Sequence, residues 1–248
     1  MTESFELWCE PFGEKRKVNV YLPDEYYHTE ERYPVLYMFD GHNIFYDHEA
    51  AYGKSWGIKD FLDGWNKKMI VVGVYCSMHG NDRLSEYSPY NFSAKWPGKV
   101  VGTGKKTMDW YVGPLKEYID THYRTWWHRE ATAIAGSSMG GLMAYFAILR
   151  YNQYYSKAAV ISPAFRLCKR YVMNEMAIAK DLFPDTKVFF SWGTKEDRNG
   201  TLGKTIVALS EMLEQKEIST KVYKHMRGSH CEACWADEVP MWMEYFWR

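Results

Sequence analysis

The sequence Ala131-Thr-Ala-Ile-Ala-Gly-Ser-Ser-Met-Gly-Gly-Leu-Met-Ala-Tyr-Phe-Ala-Ile-Leu149 changes character in its middle. Its first five residues form a short apolar run, which is typical of a buried strand. Residues 141–149 are apolar on every side, which is typical of a buried helix. Only Gly136-Ser-Ser-Met-Gly140 separates the two patterns, so this segment predicts a strand that turns sharply into a central helix.

Further short apolar runs occur along the chain. The runs at residues 34–39 and 69–75 show no polar alternation, which indicates strands that are covered on both faces. Residues 17–22 alternate between apolar and polar side chains, and this pattern predicts a half-buried strand in an edge hairpin. The remaining runs are at residues 158–161, 187–192 and 220–223.

Two helical stripes lie between these runs, at residues 108–119 and 202–213. Strands that alternate with helices indicate a mostly parallel central sheet with helices on both faces. We therefore predict an α/β fold with an N-terminal antiparallel edge hairpin, in a single domain over residues 1–248. Residues 78–107 and 165–185 fit the pattern poorly, and we expect irregular segments there that roof a site.

The composition limits the partners of the chain. Its 248 residues include 31 Lys and Arg and 31 Asp and Glu, and this zero formal charge disfavours binding to nucleic acid or to an anionic membrane. No window reaches the roughly 20 apolar residues of a membrane span, and no signal-peptide pattern is present, so we expect a cytoplasmic protein. Five scattered cysteines favour reduced thiols. Aromatic residues make up 17%, which fits either a bulky core or an aromatic-lined groove.

Residues 136–140 match the pattern G-x-S-x-G in the context that this motif requires, between a strand and a helix. A nucleophile on such a tight turn has a strained backbone, and the flanking glycines remove the clashes that Cβ atoms would cause. We therefore expect Ser138 to project from the carboxyl edge of the sheet as a nucleophile. The next peptide N–H, that of Met139, lies at a helix N-terminus and is suited to stabilise an oxyanion.

A serine nucleophile needs a base and an acid, and candidates for both follow later predicted strands. Glu196 and Asp197 come shortly after one apolar run, and either carboxylate is a candidate acid. His225 and His230 follow the last run. We prefer His230 as the base, because a Gly-Ser loop carries it over the edge of the sheet, whereas His225 lies near the end of the strand.

Several motifs, in this order along the chain, resemble the putative-esterase family, which is similar to the esterase-D, feruloyl-esterase and siderophore-esterase groups of α/β-hydrolases. The resemblance covers nearly the whole chain, and its serine and histidine motifs are the most specific. The motifs are Arg16 with Val20-Tyr-Leu-Pro23, Tyr33-Pro-Val-Leu-Tyr-Met-Phe-Asp-Gly-His42, Arg83 with Glu86-Tyr87, Gly136-Ser-Ser-Met-Gly-Gly141, Ser162-Pro163, Gly193-Thr-Lys-Glu196, and Gly228-Ser-His-Cys-Glu232 with Trp235.

The resemblance implies an α/β-hydrolase fold and a serine carboxylesterase that acts through an acyl-enzyme, without a metal or an organic cofactor. Ser138 would be the nucleophile, His230 the base and Glu196 the acid, and Asp197 stays an alternative acid. The implied partner is a small-molecule ester, either short-chain, aryl or sugar-based. The aromatic content favours the latter two.

The resemblance also implies a second oxyanion donor in the backbone of Gly41 or His42. Many relatives have His-Gly where this sequence has Asp40-Gly41, so the donating N–H stays open. From their charges alone, we expect Arg83 and Glu86 either to form a structural ion pair, which we prefer, or to contact the substrate.

Other functions stay open at this point. An acyltransferase on the same fold, in which an alcohol replaces water, would need the same residues. A catalytically inactive, aromatic-rich binding module is a further alternative. Cys231 and Cys234 form a C-x-x-C pair next to His230, which suits a zinc or redox site but also simple packing on a helix.

Overall fold

Strands and helices alternate along the chain in the computed structural model, which describes residues 1–95, 97–180 and 182–248. The strands are β1 (Thr2–Cys9), β2 (Glu14–Tyr21), β3 (Val35–Phe39), β4 (Ile70–Val74), β5 (Phe92–Ala94), β6 (Gly98–Val100), β7 (Thr132–Ser137), β8 (Lys157–Ile161), β9 (Lys187–Gly193) and β10 (Ser219–His225). The helices are α1 (Ile58–Asp63), α2 (Asp82–Glu86), α3 (Gly104–Trp110), α4 (Lys116–His122), α5 (Met139–Arg150), α6 (Phe165–Ile178), α7 (Thr201–Glu214) and α8 (Glu232–Trp247).

One eight-stranded sheet has the order β1-β2-β4-β3-β7-β8-β9-β10. The strands from β4 to β10 in this order pair in parallel. β1 pairs with β2, and β2 with β4, in antiparallel fashion. This architecture confirms the predicted α/β fold, with a mostly parallel sheet and an N-terminal antiparallel hairpin at its edge.

Helices cover both faces of the sheet, and successive residues of each central strand point to opposite faces. In β7, Ile134 packs in the layer that contains α5, whereas Ala133 and Ala135 pack in the layer that contains α8. Nearly every residue of α5 is buried, as its apolar sequence predicts. Burial of both faces explains why β3 and β4 lack polar alternation.

The prediction of an irregular segment at residues 165–185 is wrong for most of its length, because α6 extends from Phe165 to Ile178. Phe165, Val172 and Met176 on one side of α6 pack in the core. Together with Cys168, these residues recur at intervals of three and four positions, so the sequence carries a helical period there that the prediction missed. Asp181 lies outside the described residues.

Residues 78–107 are less regular. They contain the short α2, the small hairpin of β5 and β6, and the start of α3. Trp96 lies outside the described residues. The helical stripe predicted at residues 108–119 spans α3 and α4, which are joined by a wider helical turn at Tyr111–Leu115 that includes Pro114. Within the described part of the chain, no helix combines the length and the apolar character needed to cross a membrane.

Gly136 lets β7 turn into α5, and its replacement tests this part of the fold. A Cβ atom at Gly136 would lie 2.6 Å from the carbonyl carbon and oxygen of Gly140. We expect Gly136→Ala to lower the free energy of unfolding by about 1–3 kcal/mol, because the backbone must move to relieve this overlap. Urea denaturation measures the change.

The matched control for this measurement is Gly64→Ala. The nearest atoms to its added Cβ are carbonyl oxygens at 3.8 Å, and the backbone of Gly64 is right-handed. This variant should therefore be about as stable as the wild type or up to about 1 kcal/mol more stable. Equal midpoints for the two variants would contradict the close approach at Gly136.

Candidate active site

Ser138 lies in the turn between β7 and α5 and has a left-handed φ of 56° with ψ of −117°. Such a backbone is costly for a residue other than glycine, so surrounding bonds must hold it. The Ser138 N–H donates to Ile161 O at 3.0 Å, and the Ala164 N–H donates to Ser138 O at 2.9 Å. The strained turn presents the half-buried Ser138 side chain at the carboxyl edge of the sheet.

Met139 is the first residue of α5, which follows this turn. The N–H groups of the first helical turn have no acceptor within their own helix, and they carry the positive end of the helix dipole. The Met139 N–H therefore lies at the positive end of α5, and its role as an oxyanion donor stays a prediction.

Glu196 and His230 meet above the sheet, one from the turn after β9 and the other from the loop after β10. His230 Nδ1 lies 2.5 Å from Glu196 Oε2. The Glu196 side chain is only 4% exposed, whereas that of His230 is 42% exposed. Burial alone would raise the pKa of Glu196, but hydrogen bonds from His230, Ser162 and Gly193 outweigh it and hold that pKa below its usual value. The pair is therefore an ionised carboxylate with an accessible imidazole.

Ser138 and His230 line the same cavity, which has a volume of about 610 Å³. The side chains of Ser138 and His230 form no direct hydrogen bond with each other among the described residues. Trp235, Met78 and Tyr52 add apolar surface to this cavity. The cavity thus brings the predicted nucleophile and the predicted base to one accessible space.

Asp197 has a different role from Glu196. Its Oδ1 accepts the Leu202 N–H at 2.9 Å and its Oδ2 accepts the Gly203 N–H at 2.8 Å, so it caps the start of α7. Asp197 lines a separate depression of about 630 Å³ that neither Ser138 nor His230 lines. The structure therefore places the alternative acid away from the base.

His225 also lies apart from the cavity. Its Nδ1 is 3.2 Å from Glu238 Oε1, a carboxylate of α8. Burial raises the pKa of Glu238 to about 8, and the charge of Glu196 adds to this increase. The sequence-based preference for His230 over His225 agrees with these positions.

The loop after β3 approaches the cavity from the other side. A single helical turn spans Gly41–Asn43, after Asp40 with φ of 58°. Gly41 packs so closely on β4 that a Cβ atom there would lie 2.4 Å from Gly73 O. His42 lines the cavity and Gly41 is not among its lining residues. Of the two predicted sources of a second oxyanion donor, His42 is the one at the cavity wall.

Arg83 anchors this loop. Its Nε and Nη2 donate to the two oxygens of Asp40 at 2.6 and 2.7 Å. Burial alone would raise the pKa of Asp40, but the Arg83 guanidinium outweighs it and keeps that pKa low. The expected pair of Arg83 and Glu86 is wrong, because Glu86 pairs with Arg16 at 3.1 Å instead.

In one group of side chains, the ligand atoms lie close enough together to bind a metal ion. Ligand atoms of Asp40, His42 and Cys76 lie within 4.8 Å of one another, and all three residues are buried. Arg83 donates hydrogen bonds to both oxygens of Asp40, and its positive charge opposes the binding of a cation there.

The C-x-x-C pair forms no disulfide, because the sulfur atoms of Cys231 and Cys234 lie 3.6 Å apart as free thiols.

Two further residues of this site have hydrogen-bonding roles that the sequence does not predict. Ser162, directly after β8, donates to Glu196 Oε1 at 2.6 Å, and Trp235 of α8 donates to Ser162 Oγ at 2.9 Å. The position of Ser162 at the carboxyl end of a predicted strand was a signal that could have identified it. The sequence gives no comparable positional signal for Trp235, because its pattern does not predict α8.

Comparison with solved structures identifies the fold. The chain is similar to an IroE-like serine hydrolase from Shewanella oneidensis, with a TM-score of 0.81, 17% identity, and coverage of 99% of this chain and 79% of that one. This likeness, together with the mostly parallel sheet, defines the α/β-hydrolase fold.

The chain belongs to the family described as Putative esterase, whose model matches residues 10–242. It is 28% identical over 145 residues to Esterase Rv1288 of Mycobacterium tuberculosis (strain ATCC 25618 / H37Rv), which is 57% of this chain and 28% of that protein. It is also 28% identical over 209 residues to an endo-1,4-beta-xylanase/feruloyl esterase of Xylanibacter ruminicola, with coverage of 82% and 26%. The chain thus spans just over a quarter of each of these relatives. The family and both of these relatives carry an esterase name.

The choice between the two candidate acids can be tested by substitution. We expect Asp197→Ala to lower the free energy of unfolding by about 1–2 kcal/mol, since α7 loses its cap. Its kcat/KM for a p-nitrophenyl ester should change by less than about threefold. Glu196→Ala should lower kcat/KM by at least about tenfold, because His230 loses its partner. The opposite order of the two effects on kcat/KM would contradict the assignment.

Proposed function

We propose that the protein hydrolyses carboxylic esters through an acyl-enzyme formed on Ser138, with His230 as general base and Glu196 as the acid. The observation that carries this proposal is the hydrogen bond of His230 Nδ1 to the buried Glu196 carboxylate, at 2.5 Å, in a loop that lines one cavity with Ser138. The strained turn that presents Ser138 supports it.

Each group has a distinct task in this mechanism. Glu196 holds the proton on Nδ1 of His230, so Nε2 is free to take the proton of the Ser138 hydroxyl. Ser138 Oγ attacks the ester carbonyl, and His230 returns the proton to the departing alcohol. Water then enters in place of the alcohol, and the same base activates it to release the acid and restore Ser138.

The tetrahedral intermediates carry a negative charge on oxygen. The Met139 N–H at the start of α5 is the first donor to this oxyanion in the proposal, and a backbone N–H of Gly41 or His42 is the second. The cavity position of His42 supports the latter choice. One such donor contributes about 10²- to 10³-fold to kcat in serine hydrolases.

The cavity walls bear on the substrate class. Trp235 and Met78 offer apolar contacts, while Asn43 and Arg83 offer polar ones, within about 610 Å³. This mixture favours aryl or sugar esters over long acyl chains, and one relative is named as a feruloyl esterase. Acyl transfer to an alcohol needs the same residues, so product analysis with an added alcohol must accompany the hydrolysis assay.

The proposal predicts a strict requirement for the Ser138 hydroxyl. Ser138→Ala should lower kcat for p-nitrophenyl acetate and p-nitrophenyl ferulate by at least about 10³-fold, because the nucleophile is absent. Release of p-nitrophenol measures turnover, and chromatography with added methanol separates free acid from methyl ester.

Ser210→Ala is the matched control for Ser138→Ala. Ser210 is buried on α7, and its hydroxyl lies 2.6 Å from that of Thr220, outside the cavity. Its turnover should equal that of the wild type. Comparable turnover by Ser138→Ala and the wild type would refute the serine mechanism.

A further inference from the structure

Ser162 and Trp235 connect α8 to the carboxylate of Glu196. Trp235 Nε1 donates to Ser162 Oγ at 2.9 Å, and Ser162 Oγ donates to Glu196 Oε1 at 2.6 Å. The Gly193 N–H donates to the same Oε1 at 2.6 Å. Ser162 is 1% exposed and Trp235 is 5% exposed, so water does not compete freely for these bonds.

The first donor fixes the direction of every hydrogen bond in this series. An indole N–H can only donate, so Ser162 Oγ accepts it, and the single hydroxyl proton is left for Glu196. Oε1 then accepts two bonds, which favours the ionised carboxylate. Oε2 is left to accept the Nδ1–H of His230, and neutral His230 therefore has no proton on Nε2.

We propose that Ser162 and Trp235 are positioning residues that keep Glu196 ionised and thereby fix His230 in the tautomer whose Nε2 can accept the proton of Ser138. This inference rests on the proposed function of Ser138, His230 and Glu196.

Trp235 makes a second contact with the same pair. Its ring meets the His230 ring edge to face, with centroids 5.0 Å apart and an interplanar angle of 86°. The His230 side chain is otherwise 42% exposed, so few other groups limit its rotation. One side chain therefore acts on the acid through Ser162 and on the base directly.

The backbone of Ser162 gives an independent argument for the role of its hydroxyl. Ser162 has a positive φ of 42°, a conformation that strains any residue except glycine. Its N–H donates to Ser191 O at 2.9 Å, which holds the strained turn in place. Glycine would adopt this turn without strain, but it has no hydroxyl that could donate to Glu196. At Ser162, the hydrogen bond of the hydroxyl offsets the cost of the strained backbone.

Trp235 also packs in the core, where the centroid of its ring lies 5.8 Å from that of the Trp56 ring. Replacement by a small residue would therefore combine a packing defect with the loss of the hydrogen bond. Trp235→Phe keeps an aromatic ring and removes the N–H. Trp242→Phe is its matched control, because Trp242 lies on the same helix, is fully buried, and its Nε1 has no hydrogen-bond partner within the described residues.

Other titratable and charged groups near Glu196 must be considered for a pH profile. Glu238 of α8 faces it, but burial raises the pKa of Glu238 to about 8, so this group titrates on the alkaline side. Arg166 of α6 donates to the main-chain oxygen of Glu196 at 2.7 Å. Glu232 lies close enough to His230 to interact with its charge. The acid limb of kcat/KM reports the coupled pair of His230 and Glu196.

The experiment compares Trp235→Phe, Ser162→Ala, the double variant and Trp242→Phe by kcat/KM of a p-nitrophenyl ester across pH. We expect a fall of about 2- to 10-fold for Trp235→Phe and about 10- to 100-fold for Ser162→Ala, since the first loses a neutral and the second a charged hydrogen bond. The acid limb should move to higher pH in both, because a carboxylate with fewer donors is more basic. The double variant should resemble Ser162→Ala, and Trp242→Phe should keep the wild-type profile.

Two outcomes would overturn the inference. One is an unshifted acid limb in Trp235→Phe and Ser162→Ala. The other is a double variant whose loss of kcat/KM equals the product of the two single losses. That result would show that Trp235 does not act through Ser162. Failure of the proposed function gives a different result, because Ser138→Ala would then retain the wild-type turnover.

Discussion

The carboxyl ends of neighbouring parallel strands meet at one edge of the sheet, and this constraint places every group of the candidate site. The Ser138 turn follows β7, Ser162 follows β8, Glu196 follows β9 and His230 follows β10. These four strands are consecutive neighbours in the sheet, so residues that are up to 92 positions apart in sequence become adjacent in space. In open α/β sheets, ligands bind outside this edge.

At this edge of the sheet, buried carboxylates are stabilised by hydrogen bonds rather than by contact with water. Glu196 is a buried carboxylate whose oxygens accept bonds from Ser162, Gly193 and His230. Asp40 is a second buried carboxylate, and Arg83 neutralises it through two bonds. Each ion is therefore compensated locally, as burial of a charge requires. The result is a cavity that Ser138 shares with the accessible imidazole of His230.

Much of this arrangement could be predicted from the sequence because its signals are local. Apolar runs identify the buried strands, and glycines around Ser138 identify the tight turn. The position of Glu196 and His230 after later strands predicted their meeting, since parallel strands end at one edge. α6 also carries a sequence signal, since its buried residues Phe165, Cys168, Val172 and Met176 recur at helical spacing, but its kink at Cys168 has none. The pairing of Arg83 with Asp40, 43 residues earlier, and the bond of Trp235 to Ser162 depend on tertiary packing that no local pattern records.

A crystal structure of the protein treated with a p-nitrophenyl alkylphosphonate tests the convergence of these groups most directly, because the tetrahedral phosphorus imitates the intermediate of ester hydrolysis. The account predicts phosphorus bonded to Ser138 Oγ, with a phosphonyl oxygen about 2.7–3.1 Å from the Met139 N–H and His230 Nε2 within hydrogen-bond distance of the ester oxygens. Phosphorus on another residue, or a phosphonyl oxygen that points away from the start of α5, would contradict it.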